Sequence, residues 1–273
     1  MSTQASTHIL WAYLSIALLC FVYFAPAQNV SSSDTTQNLE PIPAVKRVSL
    51  SVRTGYAIFS TSDTYEYLDA LKNFPRPITT GIVRNSESSS HLPLCIELDV
   101  SISRSFSIWG EVLFGLSSER AVIDEQWKSG STDLFFGGKL YGNFKSGFVY
   151  GRAGLGMVFN TLEIEEPGFT GPIASAEPST EEFKGSGLGF VVGGGGGLFI
   201  TSFISLNCDI SYRNARVEEL KDDNDRIPQW KETVTQNSHS IEIRFSDSKE
   251  AGFKTVPVDF SGFQITIGAA IHF

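Results

Sequence analysis

The stretch FSGFQITIGAAIHF, residues 260–273, is the most informative segment of the chain. Alternate residues of a β-strand point to opposite faces, so this segment has one apolar face and one face of small and polar residues. The apolar face holds Phe263, Ile265, Ile267, Ala269, Ile271 and Phe273. Such a face, ending on an aromatic residue, is typical of a strand that contacts lipid and whose last ring lies at a membrane interface.

The composition of the whole chain also favours strands over helices. Of its 273 residues, 25 are glycine, 21 are phenylalanine and only 19% are charged, which suits many short strands joined by turns. The formal net charge of −9 argues against a nucleic-acid partner. The three cysteines, Cys20, Cys95 and Cys208, form no CxxC motif, so neither a zinc site nor a disulfide framework is predicted.

The first 27 residues have the pattern of a secretory signal peptide. Residues 9–24 are mostly apolar, and Ala25-Pro26-Ala27 forms a small-residue cleavage site. An uncleaved anchor is the alternative, because the residues before the apolar run include His8 but no Lys or Arg. Residues 28–45 are rich in Ser, Thr, Gln and Pro and are predicted to be a flexible lead-in. No later apolar run is long enough to predict a transmembrane helix.

Alternating apolar and polar residues predict eight strands between residues 46 and 273. They cover residues 47–59, 94–103, 106–117, 132–141, 147–162, 186–200, 203–213 and 260–273. The connections alternate between long and short, which is the rule in barrels with long external loops and short periplasmic turns. The predicted fold is therefore all-β: an eight-stranded antiparallel meander transmembrane β-barrel.

The distribution of charge predicts which face of each strand lies inside. The polar faces carry five basic and five acidic residues, whereas no charged residue falls on the apolar faces. Leu116 is predicted on the apolar face of the strand at residues 106–117. The ten charges form a predicted interior network of Arg47, Arg53, Glu97, Asp99, Glu111, Asp133, Lys139, Arg152, Asp209 and Arg213. Isolated buried ions are very costly, so these charges are expected to be paired. A soluble barrel would place them outside, and a β-sandwich would not explain the loop lengths.

Two segments resemble those of a known family. The stretch GSGLGFVVGGGGGLFITSFISLNCDISYR, residues 185–213, and the final strand are similar to small bacterial outer-membrane β-barrels of the OmpA/OmpX type. The resemblance implies a monomer in the outer membrane that contacts lipid and lipopolysaccharide. It also implies a C-terminal assembly signal, read by the barrel-assembly machinery, formed by Phe263, Ile265, Ile267, Ile271 and Phe273. No cofactor, metal or nucleic acid is expected.

The four long loops indicate an acidic external surface. They hold 13 Lys and Arg against 23 Asp and Glu, a net charge of −10. The first hypothesis for function is a non-enzymatic barrel with an envelope-structural or surface-interaction role. A small transport pore is the second hypothesis and would gain from ten strands, because residues 240–246 are strand-like. We expect those residues to extend the last strand above the membrane instead.

Catalytic motifs are weak. Gly185, Gly187 and Gly189 match a GxGxG pattern, but no helix follows them, so a phosphate-binding loop is not predicted. His239, Ser240 and Glu242 form the only triad-like cluster, which keeps a lipid-modifying enzyme as the third hypothesis without assigning catalytic residues. Cys95 and Cys208 are predicted on opposite faces of the wall, so a disulfide between them is not expected.

Overall fold

The computed structural model describes residues 48–59, 64–67, 70, 84–90, 92–123, 125–144, 146–166, 179–234 and 239–273. The predicted signal peptide (1–27), the lead-in (28–45) and Arg47 lie outside the described residues. No helix in the described residues is long and apolar enough to cross a membrane.

Strands account for most of the described chain. In chain order they are β1 (Val48–Phe59), β2 (Arg84–Ser90), β3 (Leu94–Ser101), β4 (Phe106–Ile123), β5 (Glu125–Phe144), β6 (Gly147–Glu166), β7 (Ser179–Phe199), β8 (Ile204–Asn214), β9 (Arg216–Val217), β10 (Ile227–Val234), β11 (His239–Ser246), β12 (Lys254–Thr255), β13 (Val258–Asp259) and β14 (Gly262–His272).

Eight of these strands close into a barrel. β1, β3, β4, β5, β6, β7 and β8 pair antiparallel, each with the next, and β14 pairs with both β8 and β1. The hydrogen-bonded partners of Ser49, followed once around the ring, lead back to Phe59 on the same strand, ten residues further on. This stagger gives a tilted wall whose interior is just wide enough for side chains to fill. The predicted eight-stranded antiparallel meander is confirmed.

A β-bulge in β4 places Leu116 and Ser117 on the faces opposite to those predicted. The pairing of β4 with β5 shifts between Leu113 and Leu116, and Gly115 has a φ of 89°. The extra residue reverses the alternation, because a bulge moves the following side chains to the other face. Leu116, predicted on the outer face, is therefore buried inside, and Ser117, predicted inside, is exposed.

Strands β4 to β7 are much longer than predicted. β4 continues to Ile123 and β5 begins at Glu125, within residues 118–131 that the sequence analysis assigned to a loop. β6 and β7 run on through parts of residues 163–185. The large apolar residues of these extensions, Trp127, Leu162, Ile164 and Phe183, are buried on the inner face rather than exposed on the outer one. We call the extensions the crown and define it as residues 116–123, 125–132, 160–166 and 179–187.

The segment between β8 and β14 folds over the crown. β10 pairs with β11 and β12 in a small separate sheet, and β9 pairs with β13. We call residues 215–234 and 239–259, together with residues 64–67, the cap. The expectation that residues 240–246 extend the last strand is wrong, because they form β11 and pair with β10. Pro228, a residue unfavourable in strands, obscures β10 in the sequence.

The outer surface of the barrel wall is a belt of exposed apolar side chains. Leu50, Val52, Leu98, Ile108, Phe136, Leu155, Leu188, Val192, Leu206 and Ile271 are among its members. An aromatic ladder, formed by Phe190, Tyr212 and Phe263, crosses three strands at one level, with centroid distances of 6.1 Å and 5.1 Å. The interior, by contrast, holds most of the buried charged side chains.

Candidate functional site

The middle of the barrel interior holds a cluster of seven charged side chains and one tyrosine from six strands. We call it the lumen network and define it as Arg53, Glu97, Asp99, Glu111, Lys139, Tyr150, Arg152 and Asp209. Strand β7 contributes no side chain at this level, because its inward residues are glycines. A Cβ on Gly195 would lie 2.7 Å from the Tyr150 hydroxyl, so the missing side chain leaves room for that ring.

Arg152 is at the centre of the network. Its guanidinium lies 3.1 Å from Glu97, 2.9 Å from Glu111 and 2.8 Å from Asp209. Arg53 bonds the same two glutamates, with Glu97 at 2.9 Å, so each of these carboxylates lies between two guanidinium groups. Charge-assisted bonds of this kind are among the strongest hydrogen bonds in proteins.

Polar groups fix the orientation of the remaining carboxylates. Tyr150 accepts a hydrogen bond from Arg53 at 3.2 Å and donates one to Asp209 at 2.9 Å. Asp99 accepts hydrogen bonds from Ser107 at 3.0 Å and from Tyr141 at 2.8 Å.

On the side of the network that faces away from the crown, Lys139 contacts two aromatic rings. It bonds Glu97 and lies 3.4 Å from Asp99. Its ammonium group lies 4.7 Å from the centre of the Tyr150 ring and 5.8 Å from that of Trp109. These rings fill space around the charges, so the interior at this level is packed with side chains.

A second ion pair lies between the lumen network and the crown. Arg213 bonds Asp133 and also donates to the Phe260 carbonyl at 3.1 Å, and Ser131 donates to Asp133 at 2.7 Å. The structure thus brings together nine of the ten residues of the predicted network in two groups; the tenth, Arg47, lies outside the described residues.

The buried charges nearly cancel. The nine described charged residues comprise four basic and five acidic side chains, all buried. Pairing is what makes this tolerable, because a buried ion without a partner costs several kcal/mol. Some polar atoms inside have no protein partner, among them Glu111 Oε1, Gln264 Oε1 and Thr266 Oγ1.

Each carboxylate of the network accepts at least one hydrogen bond from a guanidinium, ammonium or hydroxyl donor. A general base needs a free lone pair within reach of a substrate, and Glu111 Oε1, which has no protein partner, is buried inside the barrel. Cys95 is fully buried, and Cys208 is half-buried on the other face of the wall, so the two thiols are not joined in a disulfide. Within the described residues no three metal-binding side chains cluster.

The remaining sequence candidates lie apart from this network. In β11, Glu242 accepts a hydrogen bond from Arg244 at 2.6 Å on the exposed surface, and Ser240 is exposed. Gly185, Gly187 and Gly189 lie within strand β7. At the opposite end of the barrel, His272 Nε2 lies 2.8 Å from the Ser205 hydroxyl. In β14, Phe263 and Ile271 are exposed, Ile265 is buried and Ile267 is half-buried; Phe273, directly after β14, is also exposed.

Sequence reasoning missed the apolar core formed by the crown and the cap. Tyr67 stacks on Trp127 with a centroid distance of 5.3 Å and meets the edge of Trp230 at 6.0 Å. Leu162, Ile164, Phe183, Leu220, Val256 and Phe260 are buried in the same core. The alternation of Leu162 and Ile164 with polar residues was a usable signal, but the acidic residues on both sides of Ile164 suggested a loop.

No protein-family model matches the chain, and no curated protein matches it significantly. The similar solved structures include the outer membrane protein OprG from Pseudomonas aeruginosa, with 12% identity, 85% of this chain and 99% of that chain covered, and a TM-score of 0.41. A major outer membrane protein from Thermus thermophilus has 14% identity, covers 83% and 99%, and has a TM-score of 0.39. The outer membrane protease OmpT from Escherichia coli has 10% identity, covers 89% and 99%, and has a TM-score of 0.37. Because these TM-scores are below 0.5, the function of this chain is inferred from its own geometry.

Proposed function

We propose that this chain is an integral outer-membrane β-barrel with a non-enzymatic role in envelope structure or surface interaction. The observation that carries the proposal is the distribution of polarity across the wall: charged side chains are buried inside, and large apolar side chains are exposed outside. In water this arrangement would be unfavourable on both faces. In a bilayer the apolar belt contacts lipid, and the paired charges are shielded from hydrocarbon.

The dimensions of the belt support the same proposal. Soluble monomers rarely expose apolar patches larger than a few hundred Å², whereas this belt continues around the whole ring. Ten residue steps along β6 separate two outward side chains, Val149 and Phe159. At about 3.3 Å per residue and a tilt near 40°, this distance spans about 25 Å, which is the height of the apolar band of outer-membrane barrels.

The proposed role is carried by the external surface rather than by the interior. The lumen network fills the space through which a solute would pass, and the sequence concentrates net negative charge in the segments that join the strands at the crown end. We propose that the apolar belt contacts outer-membrane lipid and lipopolysaccharide. We further propose that β14 is the strand read by the barrel-assembly machinery.

Gel mobility tests this proposal directly. The protein is purified from membranes or refolded in detergent, and unheated and boiled samples are compared in SDS. We expect a heat-dependent shift that appears only when detergent or lipid was present during folding, together with resistance to carbonate extraction from membranes. A protein that stays monodisperse in plain buffer without such a shift would contradict the membrane assignment.

The non-enzymatic part of the proposal has a separate test. Outer-membrane lipids are compared by mass spectrometry in cells with and without the gene, and with the His239→Ala variant. We expect identical lipid profiles in all three strains. A lipid modification that disappears in the deletion and in the His239→Ala strain would favour the enzyme hypothesis instead.

A further inference from the structure

The polarity of the wall inverts at one height along the barrel axis, most clearly on the long strands β5, β6 and β7. Here 'above' means towards the crown and 'below' means away from it. Below that level the outward side chains are apolar on all three strands. Phe136, Leu155 and Phe190 form one row of register partners, and their exposed fractions are 58%, 72% and 42%. Leu134, Met157 and Leu188 form the next row towards the crown.

Two rows higher, the outward side chains are small or polar. Gly130, Thr161 and Lys184 form one row, and Lys128, Glu163 and Glu182 form the following one. The lysines of these rows form surface ion pairs: Lys128 lies 2.5 Å from Glu165, one row higher, and Lys184 lies 2.9 Å from Glu182. The row between the apolar and polar regions is mixed, with Phe159 flanked by Thr132 and Ser186.

The inner face changes in the opposite sense. Below the mixed row the interior contains the lumen network and the Arg213–Asp133 pair. Above it, Trp127, Leu162, Ile164 and Phe183 point inward and are buried in the core shared with the cap. The lower barrel is thus apolar outside and carries the buried charges inside. The crown is polar outside and holds large apolar side chains inside, next to the buried but uncharged Ser118, Ser129, Ser131 and Asn160, as in a protein surrounded by water.

On strand β4 the outer face changes from apolar to polar at the same level, and there the change is made by the β-bulge. Its outward residues are Ile108, Val112 and Phe114 below the bulge, and Ser117 above it. The bulge moves Leu116 inward, where it joins the crown core. Without the inserted residue, Leu116 would point outward at a height where the neighbouring strands present polar side chains.

The cap completes the water-facing unit on the side where the wall strands are short. The backbones of Lys184 and Lys221 exchange hydrogen bonds of 2.8 Å in both directions, and Arg226 reaches Glu181 at 2.8 Å. Asn160 in β6 donates to the Val258 carbonyl at 2.9 Å. These contacts hold the cap over the apolar inner face of the crown.

We propose that the mixed row at Phe159 marks the outer-leaflet boundary, so that acyl chains contact the wall only below it and the crown stands in water with the cap. This inference rests on the proposed membrane function and deepens it by naming the surface that lipid contacts. Seven residue steps of β6 lie beyond Phe159, which corresponds to a height of about 18 Å at the same rise and tilt.

Spin labels placed along the outer face of β6 test the boundary. Single cysteines replace Leu155, Phe159, Thr161 and Glu163 in turn, in a Cys208→Ser background, and the full barrel is reconstituted in phospholipid vesicles. Native Cys95 stays in place because it is fully buried. Accessibility to oxygen, which concentrates among acyl chains, is compared with accessibility to a water-soluble nickel chelate. On β7, Leu188→Cys and Lys184→Cys form a matched pair.

We expect oxygen accessibility to dominate at positions 155 and 188, and nickel accessibility to dominate at positions 161, 163 and 184, with the ratio inverting across Phe159. If positions 161, 163 and 184 also contact lipid, the boundary lies higher and this inference is overturned, although membrane insertion still stands. If positions 155 and 188 contact water, the proposed membrane function itself fails.

Discussion

At the scale of single residues, the barrel interior depends on arginines that are shared between carboxylates. Arg152 contacts three acidic side chains, and Arg53 contacts two of the same three at close range. Removing one guanidinium therefore leaves several carboxylates under-neutralised, in a space that water does not freely enter. The cost of breaking a buried pair in this way is larger than the net stabilisation that the pair provides.

We predict that Arg152→Met lowers the free energy of unfolding by about 3–5 kcal/mol, the range found when one partner of a buried ion pair is removed. Urea unfolding of the protein in lipid vesicles, followed by tryptophan fluorescence, measures the change. Lys184→Met is the control, because Lys184 forms an exposed pair with Glu182 and such pairs contribute little. Equal midpoints for the two variants would contradict a structural role for the network.

The turn that begins at Asp222 in the cap is sensitive to acid. Burial alone would raise the pKa of Asp222, but hydrogen bonds from the backbone and side chain of Arg226 and from the Asn224 N–H outweigh burial and hold that pKa below its ordinary value. A lowered pKa means that the carboxylate stabilises the turn above the unfolded-state pKa of about 3.9. This contribution is lost as the pH falls through the lower, folded-state value.

We therefore predict that the cap loosens from β7 only in acid. Protection of the Lys184 and Lys221 amides from hydrogen exchange should be constant between neutral pH and about pH 5, and should fall below about pH 4. Asp222→Asn should lower this protection at neutral pH and remove the change between pH 5 and pH 3. A wild-type protection that rises on acidification would show that the sign is wrong.

At the scale of strands, two inward glycines of β7 are crowded from both neighbouring strands. A Cβ on Gly195 would clash with the Cys208 carbonyl and lie 2.7 Å from the Tyr150 hydroxyl, and one on Gly197 would clash with the Asn207 side chain and lie 2.5 Å from the Phe148 ring. Gly151, on the outer face of β6, differs because a Cβ there would meet nothing within 4 Å. Glycines in the same sheet therefore differ in whether they tolerate substitution by alanine.

We predict that Gly195→Ala destabilises the barrel and displaces Tyr150 from Asp209, whereas Gly151→Ala is tolerated. Inserting a methyl group into a packed interior typically costs about 1–3 kcal/mol. The urea midpoints of both variants are compared with wild type, and near-ultraviolet circular dichroism reports on the tyrosine environment. A Gly151→Ala variant that loses as much stability as Gly195→Ala would argue against the packing explanation.

The predicted strand boundaries were wrong where the environment of the wall changes. Leu155 and Phe159 are outward and apolar, so the sequence identifies that part of β6 as a lipid-facing strand. Beyond Phe159, Thr161, Glu163 and Glu165 are outward and polar, and the predicted strand ends at Leu162. The inward Ile164 continues the strand to Glu166, but the acidic residues beside it suggest a loop unless it is known that the cap covers its side chain.

The bulge at Gly115 could not be predicted from the alternation of residues in the sequence either. Two-residue alternation assigns faces correctly until a residue is inserted, and a single glycine does not reveal whether it lies in a regular strand or in a bulge. The charged members of the interior, by contrast, were identifiable, since Arg53, Arg152 and Asp209 lie on regular strands and none of their direct neighbours is charged. Which acid meets which base depends on the stagger of the closed ring.

At the scale of the whole molecule, the filled interior predicts a barrel that does not conduct. Reconstitution into a planar bilayer should give no steady single-channel steps above those of a protein-free bilayer, because the lumen network and the core of crown and cap both block the axis. Regular conductance steps from the wild-type protein would overturn this expectation and would favour the transport-pore hypothesis.

The seam between β1 and β14 sets when the wall can close during folding. More than 200 residues separate these two strands along the chain, and contacts of such long range form slowly because the intervening chain must be ordered first. Until β14 is in place, β1 and β8 each present an unpaired strand edge, which is a template for association with another chain. Closure is therefore a single late step, and the chain is most vulnerable to aggregation in the interval before it.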